Sequence, residues 1–139
     1  MESESKKQKP IRTFVATSKF VRLAPMKARD LARAITGLSV AEALRVVELN
    51  KRKAAECIGQ TLKSAIANAE NNGQMSADDL YVASAVVDNG PTFPRYWPRA
   101  RGSAASIRKK TSHISVTLMD EKPSKKATEK LIKGLVIKG

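Results

Sequence analysis

The sequence predicts an α+β fold in which a small three-stranded antiparallel sheet packs against three helices and carries a long protruding β-hairpin. One strand pattern comes first, three helical patterns follow in a cluster, and two further strand patterns come after them. The strands are too few and the helices too clustered for repeated βαβ units, so a parallel sheet is not favoured. A chain of 139 residues has room for one domain with one core.

The first strand is predicted within IRTFVATSKF, which covers residues 11–20. Phe14, Ala16, Ser18 and Phe20 recur at period two, which is typical of side chains on one face of a strand. We therefore expect these four side chains to share one face.

Residues that are typical of helix ends predict the first two helices. Pro25 suits the first turn of a helix running to Thr36, because its missing N–H would be unpaired there, and Gly37 provides a left-handed stop. Ser39 and Glu42 have the spacing of a capping box, which predicts a second helix to about Leu49.

The third helix is predicted by apolar spacing within KRKAAECIGQTLKSAIANAENNG. Its predicted core face consists of Ala55, Ile58, Leu62, Ile66 and Ala69. The Asn72-Gly73 pair ends the pattern. Cys57 lies beside this stripe and is interpreted as a small buried hydrophobe.

Two further strands are predicted in LYVASAVVD and SHISVTLM. The side chains placed on one face of each are Leu80, Val82 and Val86 in the first, and Ile114, Val116 and Leu118 in the second. Each strand is therefore expected to bury one face. The predicted organisation is a flexible basic N-terminus at 1–10, one domain at 11–122 with its extended hairpin at about 88–112, and a C-terminal extension at 123–139 that is flexible or forms a short helix.

Composition favours a polyanionic partner. The chain has 26 Lys and Arg against 13 Asp and Glu, a formal net charge of +13, and 42% apolar residues, so a folded domain with strong positive charge is expected. No stretch approaches the ~18 apolar residues of a membrane span. Cys57 is the only cysteine and His113 the only histidine, so disulfides and metal sites are not expected.

The segment joining the last two strands has the strongest nucleic-acid signal. No acidic residue lies between Asp88 and Asp120, whereas this interval contains several bases: Arg95, Arg99, Arg101, Arg108, Lys109 and Lys110. Phe93, Tyr96 and Trp97 lie among them. Arginine binds phosphate and stacks on bases, and aromatic rings stack on unpaired bases, so this arm is predicted to contact RNA.

Four motifs in one collinear order resemble the universal large-subunit ribosomal protein twenty-two family of bacterial or organellar type. They are KSAIANAENN, LYVASAVVDNGP, PRARG and IRKKTSHISV, and the resemblance spans residues 12–121. It implies a structural, non-enzymatic protein that binds 23S-type ribosomal RNA, supports assembly of the large subunit and lines the nascent-peptide exit tunnel with its hairpin tip. Neighbouring ribosomal proteins, the nascent peptide and one copy per ribosome are the other implied partners. The implied location is a cytoplasmic ribosome, with an organellar ribosome left open.

Mapped onto this chain, the tunnel tip comprises Phe93, Pro94, Arg95, Tyr96, Trp97, Pro98, Arg99, Ala100, Arg101 and Gly102. Charge and position predict these ribosomal RNA contacts: Lys19, Arg22, Lys27, Arg29, Lys51, Arg52, Lys53, Arg95, Arg99, Arg101, Arg108, Lys109, Lys110 and His113. The chain departs from the family where Ser103 follows the PRARG glycine, since Arg is common there. The tip is also more aromatic than is usual.

Two other functions compete with this one. A free-standing nucleic-acid module, such as an architectural DNA binder or an RNA chaperone, explains the charge and the aromatic arm but not the collinear match. An enzyme lacks support, because the sequence offers no spaced carboxylate pair, no Gly-rich phosphate loop and no nucleophile with a partner base. No cofactor is predicted.

Overall fold

A computed structural model describes residues 12–120 of the chain and confirms the predicted fold class. The elements are β1 (Thr13–Val21), α1 (Pro25–Ile35), α2 (Val40–Leu49), α3 (Lys53–Gly73), β2 (Tyr81–Pro98) and β3 (Ala104–Met119). The strands form one antiparallel sheet in the order β1-β3-β2, so β3 lies in the middle. The predictions for residues 1–10 and 123–139 lie outside the described part.

The helix boundaries follow the capping chemistry closely. Pro25 is the first residue of α1, and Gly37 adopts φ 87° after it. The Ser39 hydroxyl accepts a hydrogen bond from the Glu42 backbone N–H at 3.4 Å, and the Glu42 carboxylate accepts one from the Ser39 N–H at 3.2 Å. The capping box predicted for α2 is therefore confirmed.

The core lies between the helices and one face of the sheet. Ile58 and Leu62 of α3 are fully buried, as are Ile114, Val116 and Leu118 of β3. The helix stripe predicted at the third helix is confirmed in its main members, while Ile66 is half-buried at its edge. This single core fixes β3, and β3 in turn fixes the direction in which the hairpin leaves the body.

Gly73 is the last residue of α3, and there is no room for a side chain at this position. A Cβ atom added there would overlap the Phe14 ring, with the Cε1 atom at 2.7 Å. The left-handed residue that follows the helix is Gln74, with φ 51°. Glycine at 73 therefore allows the end of α3 to approach β1 closely.

Two strand faces differ from the prediction because each strand contains a β-bulge. Phe20 was expected to share one face of β1 with Phe14, Ala16 and Ser18, but an irregularity between Ser18 and Val21 leaves it at φ 57° and 61% exposed. In β2, one extra residue between Val82 and Ser84 exchanges the two faces, so Val87 is buried and Val86 is exposed. A bulge reverses the alternation beyond it, which strict period-two reasoning does not include.

Candidate nucleic-acid interface

The outer parts of β2 and β3 form a two-stranded ribbon that leaves the body. The ribbon consists of the seven ladder pairs from Thr92↔Lys110 to Pro98↔Ala104. It extends the sheet by about 20 Å at ~3.3 Å per residue. Residues 91–104 are all exposed. The predicted basic hairpin is therefore accessible to a partner along its whole outer length.

The ribbon has two chemically different faces, because side chains alternate along a strand and paired residues share a face. Phe93, Arg95 and Trp97 lie on one face, together with their cross-strand partners Lys109, Ile107 and Ala105. Pro94, Tyr96 and Pro98 lie on the other, together with Arg108, Ser106 and Ala104. The first face alternates aromatic and cationic groups, which suits base stacking with phosphate neutralisation.

The turn at the end of the ribbon is short and closed by its own hydrogen bonds. The Arg99 N–H donates to the Ser103 carbonyl at 2.8 Å, and the Ser103 hydroxyl donates to the Ala100 carbonyl at 2.9 Å. Arg101 and Gly102 adopt left-handed φ angles of 57° and 71°. Ser103, which stands where the family often has Arg, thus helps to hold Arg101 at the far end.

The predicted tip therefore contains two structural parts. Ala100, Arg101 and Gly102 form the turn itself, whereas the segment from Phe93 to Pro98 lies in the ladder. Phe93 is the member furthest from the turn and lies beside the body. The distal half of the predicted tip therefore lies further along the ribbon from the body than Phe93 does.

A basic groove lies between the start of α1 and the base of the ribbon. It has a volume of about 670 Å³. It brings together six of the predicted RNA contacts, namely Arg22, Lys27, Arg95, Arg108, Lys109 and Lys110, with Phe93, Leu23, Ala24 and Thr111 completing the wall. Among these lining residues none is acidic. The groove therefore concentrates cations from three separate parts of the chain.

The ribbon is anchored to the body at a bulge that the sequence analysis missed. Asn89 pairs with Ser112 and Thr92 with Lys110, so the intervening residues of β2 include one extra. The Thr111 hydroxyl donates to the Pro91 carbonyl at 2.6 Å. The sequence feature that could have predicted this bulge is the triplet Asn89-Gly90-Pro91. Glycine inside a strand often marks a bulge or a close approach of another backbone segment.

Arg29 is a predicted RNA contact that the structure places in an internal role. Its Nε–H donates to the Val87 carbonyl at 3.2 Å, and its Nη2 donates to the Asn89 side-chain oxygen at 3.4 Å. These bonds tie α1 to β2 at the point where the ribbon begins. Arg29 thus orients the groove wall, and contact between its guanidinium and RNA stays a prediction.

Lys19 and His113 lie on the sheet near the bulge of β1. The Phe20 N–H donates to Nδ1 of His113 at 3.0 Å. Because Nδ1 accepts, the neutral imidazole carries its proton on Nε2. Nε2 is the nitrogen left to donate to RNA, while Lys19 is exposed beside it.

The predicted cluster Lys51, Arg52 and Lys53 lies away from the ribbon, at the junction of α2 and α3. Together with Lys63 these residues line a second groove of about 450 Å³. Glu48 and Glu56 line the same groove and partly offset its charge. The lining of this groove therefore carries less net positive charge than that of the groove beside the ribbon, and its contact with RNA stays a prediction.

Within residues 12–120, no group of three or more His, Cys, Asp or Glu side chains is placed to hold a metal ion. No helix of the described part is long and apolar enough to cross a membrane. The exposed functional groups of the ribbon are instead cationic and aromatic side chains.

These features define a basic α+β protein with an exposed, positively charged ribbon, and comparison with known proteins assigns the family. The sequence model of ribosomal protein L22p/L17e matches residues 16–119. The chain therefore belongs to the ribosomal protein L22p/L17e family.

Individual relatives agree with this assignment. Large ribosomal subunit protein uL22 of Methylacidiphilum infernorum is 53% identical over 110 residues, which cover 79% of this chain and 96% of that protein. The uL22 protein of Akkermansia muciniphila is 51% identical over 76% of this chain and 95% of its own length. That of Thermosipho africanus is 45% identical over 86% of this chain and 81% of its own. The family resemblance noted from the sequence motifs is confirmed.

Proposed function

We propose that this protein binds 23S-type ribosomal RNA through the groove and the ribbon, supports assembly of the large subunit, and lines the nascent-peptide exit tunnel with the ribbon turn. The coarser role follows from family membership: the chain is a structural protein of the large ribosomal subunit in the cytoplasm, and not an enzyme. Its further proposed partners are neighbouring large-subunit proteins and the nascent peptide, with one copy of the chain per ribosome.

The observation that carries the RNA proposal is the acid-free basic surface that runs from the groove to the turn. Six cations line the groove, and Arg99 and Arg101 continue the charge outward. A solvent-exposed two-stranded ribbon is only marginally stable alone, and like charges along both strands repel. RNA phosphates between the cationic side chains would neutralise their charges and remove that repulsion. Bound RNA would therefore stabilise the ribbon.

The observation that supports tunnel lining is the separation of the turn from the body. Seven ladder pairs lie between the bulge and the turn, so the body and the groove can be anchored while Ala100 to Gly102 contact a different surface. The large hydrophobic side chains nearest to that end are those of Tyr96 and Trp97, which are 72% and 60% exposed. They are the groups that a peptide or small inhibitor passing the turn would meet.

Sedimentation of native ribosomes tests the anchoring. Full-length protein should cosediment with large subunits after a high-salt wash, because many phosphate contacts act together. A variant with Arg95, Lys109 and Lys110 changed to Ala should be released at lower salt, whereas Arg45→Ala, on the exposed surface of α2, should behave like the unchanged protein. Release of the unchanged protein into the light fractions by the same wash would contradict the proposal.

A shortened ribbon tests the separate role of the turn. Deleting Trp97, Pro98, Ala104 and Ala105 removes two facing ladder pairs and preserves both alternation and turn. The ribbon becomes shorter by about 7 Å. Large subunits should assemble normally, yet peptide stalling or inhibitor binding in the tunnel should change. Unchanged stalling and binding would rule out tunnel lining, and failed assembly would show that the turn itself is an anchor.

A further inference from the structure

We propose that the groove between the start of α1 and the ribbon holds one unpaired RNA nucleotide, with its base stacked on Phe93 and its flanking phosphates on Arg22, Lys27 and Lys109. The inference rests on the proposed binding of ribosomal RNA and names the kind of RNA that this part of the surface takes. The unstacked base occupies the groove, and the phosphate backbone of the RNA lies along the rest of the ribbon.

The first support is the shape and size of the groove. Its volume of about 670 Å³ falls within the ~300–1,000 Å³ typical of sites that enclose a small ligand. One wall is the beginning of α1 and the other is the ribbon face that carries Phe93, Arg95 and Lys109. A duplex could place phosphates on the rim, but its base faces are stacked on one another and cannot enter.

The second support is the placement of an aromatic ring among cations. Phe93 is 45% exposed and lines the groove together with Arg22 and Lys27. Its cross-strand partner is Lys109, so the ring and an ammonium group share one face. A ring face flanked by cations is the arrangement that stacks a base while neutralising its backbone.

The third support is the contrast with the groove between α2 and α3. That groove also contains several cations, but Glu48 and Glu56 lie among them, and no aromatic side chain lines it. The presence of several cations alone therefore does not distinguish the two sites. Phe93 and the absence of acids from the lining of the ribbon groove make it selective for an unpaired base.

Fluorescence of an RNA probe tests this inference on the full chain. The probe is a short RNA stem-loop whose stem contains one unpaired 2-aminopurine, and its control is the same stem with that base paired. Stacking on Phe93 should change the fluorescence of the unpaired base, and the unpaired probe should bind more tightly than the paired one. A base stacked on an aromatic side chain contributes roughly 5- to 160-fold in affinity.

Three variants separate stacking from charge. Phe93→Leu should lose most of the preference for the unpaired probe and the fluorescence change, while its binding still weakens with salt. Phe93→Trp should keep both the preference for the unpaired probe and the fluorescence change, because indole offers a larger stacking face. Arg45→Ala, on the exposed surface of α2, should keep the preference unchanged.

The outcomes distinguish this inference from the proposed function. Equal binding of both probes by the unchanged protein, or a preference that survives Phe93→Leu, would overturn the nucleotide site and leave RNA binding in place. If neither probe binds in a salt-dependent way, the proposed RNA binding fails together with the site.

Discussion

The rings of Phe20 and His113 meet edge to face, with centroids 4.8 Å apart and an interplanar angle of 85°. The backbone N–H of Phe20 also donates to Nδ1 of His113 at 3.0 Å. Phe20 adopts φ 57°, which is unfavourable for a bulky residue. The two contacts therefore hold the bulge of β1 in a conformation that this residue would not adopt alone.

The first prediction concerns the energy of this pair. In a double-mutant cycle of Phe20→Ala and His113→Ala, the coupling energy should be about 0.5–1.5 kcal/mol, because the ring contact disappears in either variant. Urea unfolding of the four proteins measures it. Additive losses of unfolding free energy would show that the ring contact does not stabilise the fold.

The second prediction concerns the start of α2. Ser39→Ala removes the hydroxyl that accepts from the Glu42 N–H. It should lower the free energy of unfolding by about 1 kcal/mol. Ser39→Asp keeps an acceptor at this position and should retain most of the stability in the same urea titration. Equal losses in the two variants would argue that the capping bond is not the cause.

The third prediction concerns the bulge at the base of the ribbon. A Cβ atom at Gly90 would lie 3.1 Å from the Thr111 carbonyl carbon and 3.2 Å from its oxygen, and would also meet the Thr111 hydroxyl. Gly90→Ala should therefore cost about 1–3 kcal/mol of unfolding free energy, because one wall is backbone. Calorimetric melting measures the loss.

Thr111→Ala provides the companion variant for Gly90. It removes the hydroxyl but leaves the backbone atoms that a Cβ atom would meet. Added to Gly90→Ala, it should therefore restore stability only in part. Full recovery would show that the side chain alone requires glycine at position 90.

Local chemistry determined how much of this fold the sequence could predict. Pro25, Ser39 and Glu42 act on backbone groups within one turn of helix, so they located α1 and α2 correctly. The buried positions of β3 also followed from alternation, because its central place in the sheet keeps it regular. Features that depend on one short stretch of chain were predictable in this protein.

Features that depend on contacts between distant segments were not predictable. Phe20 turns outward at a bulge where β1 pairs with β3, and Val86 does so after the bulge opposite Leu118 and Thr117. The groove likewise joins Arg22 of the β1–α1 connection to Lys109 of the ribbon. Charge identified these bases as candidate contacts, but only the three-dimensional fold shows which of them share a site.

The fourth prediction concerns the salt dependence of RNA binding. Neutralising Arg99 and Arg101 together should reduce the slope of log K against log salt by about one unit for each lost phosphate contact. Binding titrations with ribosomal RNA at several salt concentrations measure the slope. Arg45→Ala is the control and should leave it unaltered. An unchanged slope in the double variant would remove the ribbon end from the RNA interface.

Crosslinking from the ribbon turn to a nascent chain tests the central claim most directly. Cys57 is the only cysteine, so a variant with Cys57→Ala and Ser103→Cys has its single thiol at the turn. That thiol is labelled with a photoreactive group. The matched control carries Gln60→Cys in the same background, on the exposed side of α3. On translating ribosomes the turn probe should crosslink to the radiolabelled nascent peptide and the control should not. No crosslink from the turn, or equal crosslinking from both positions, would contradict the account.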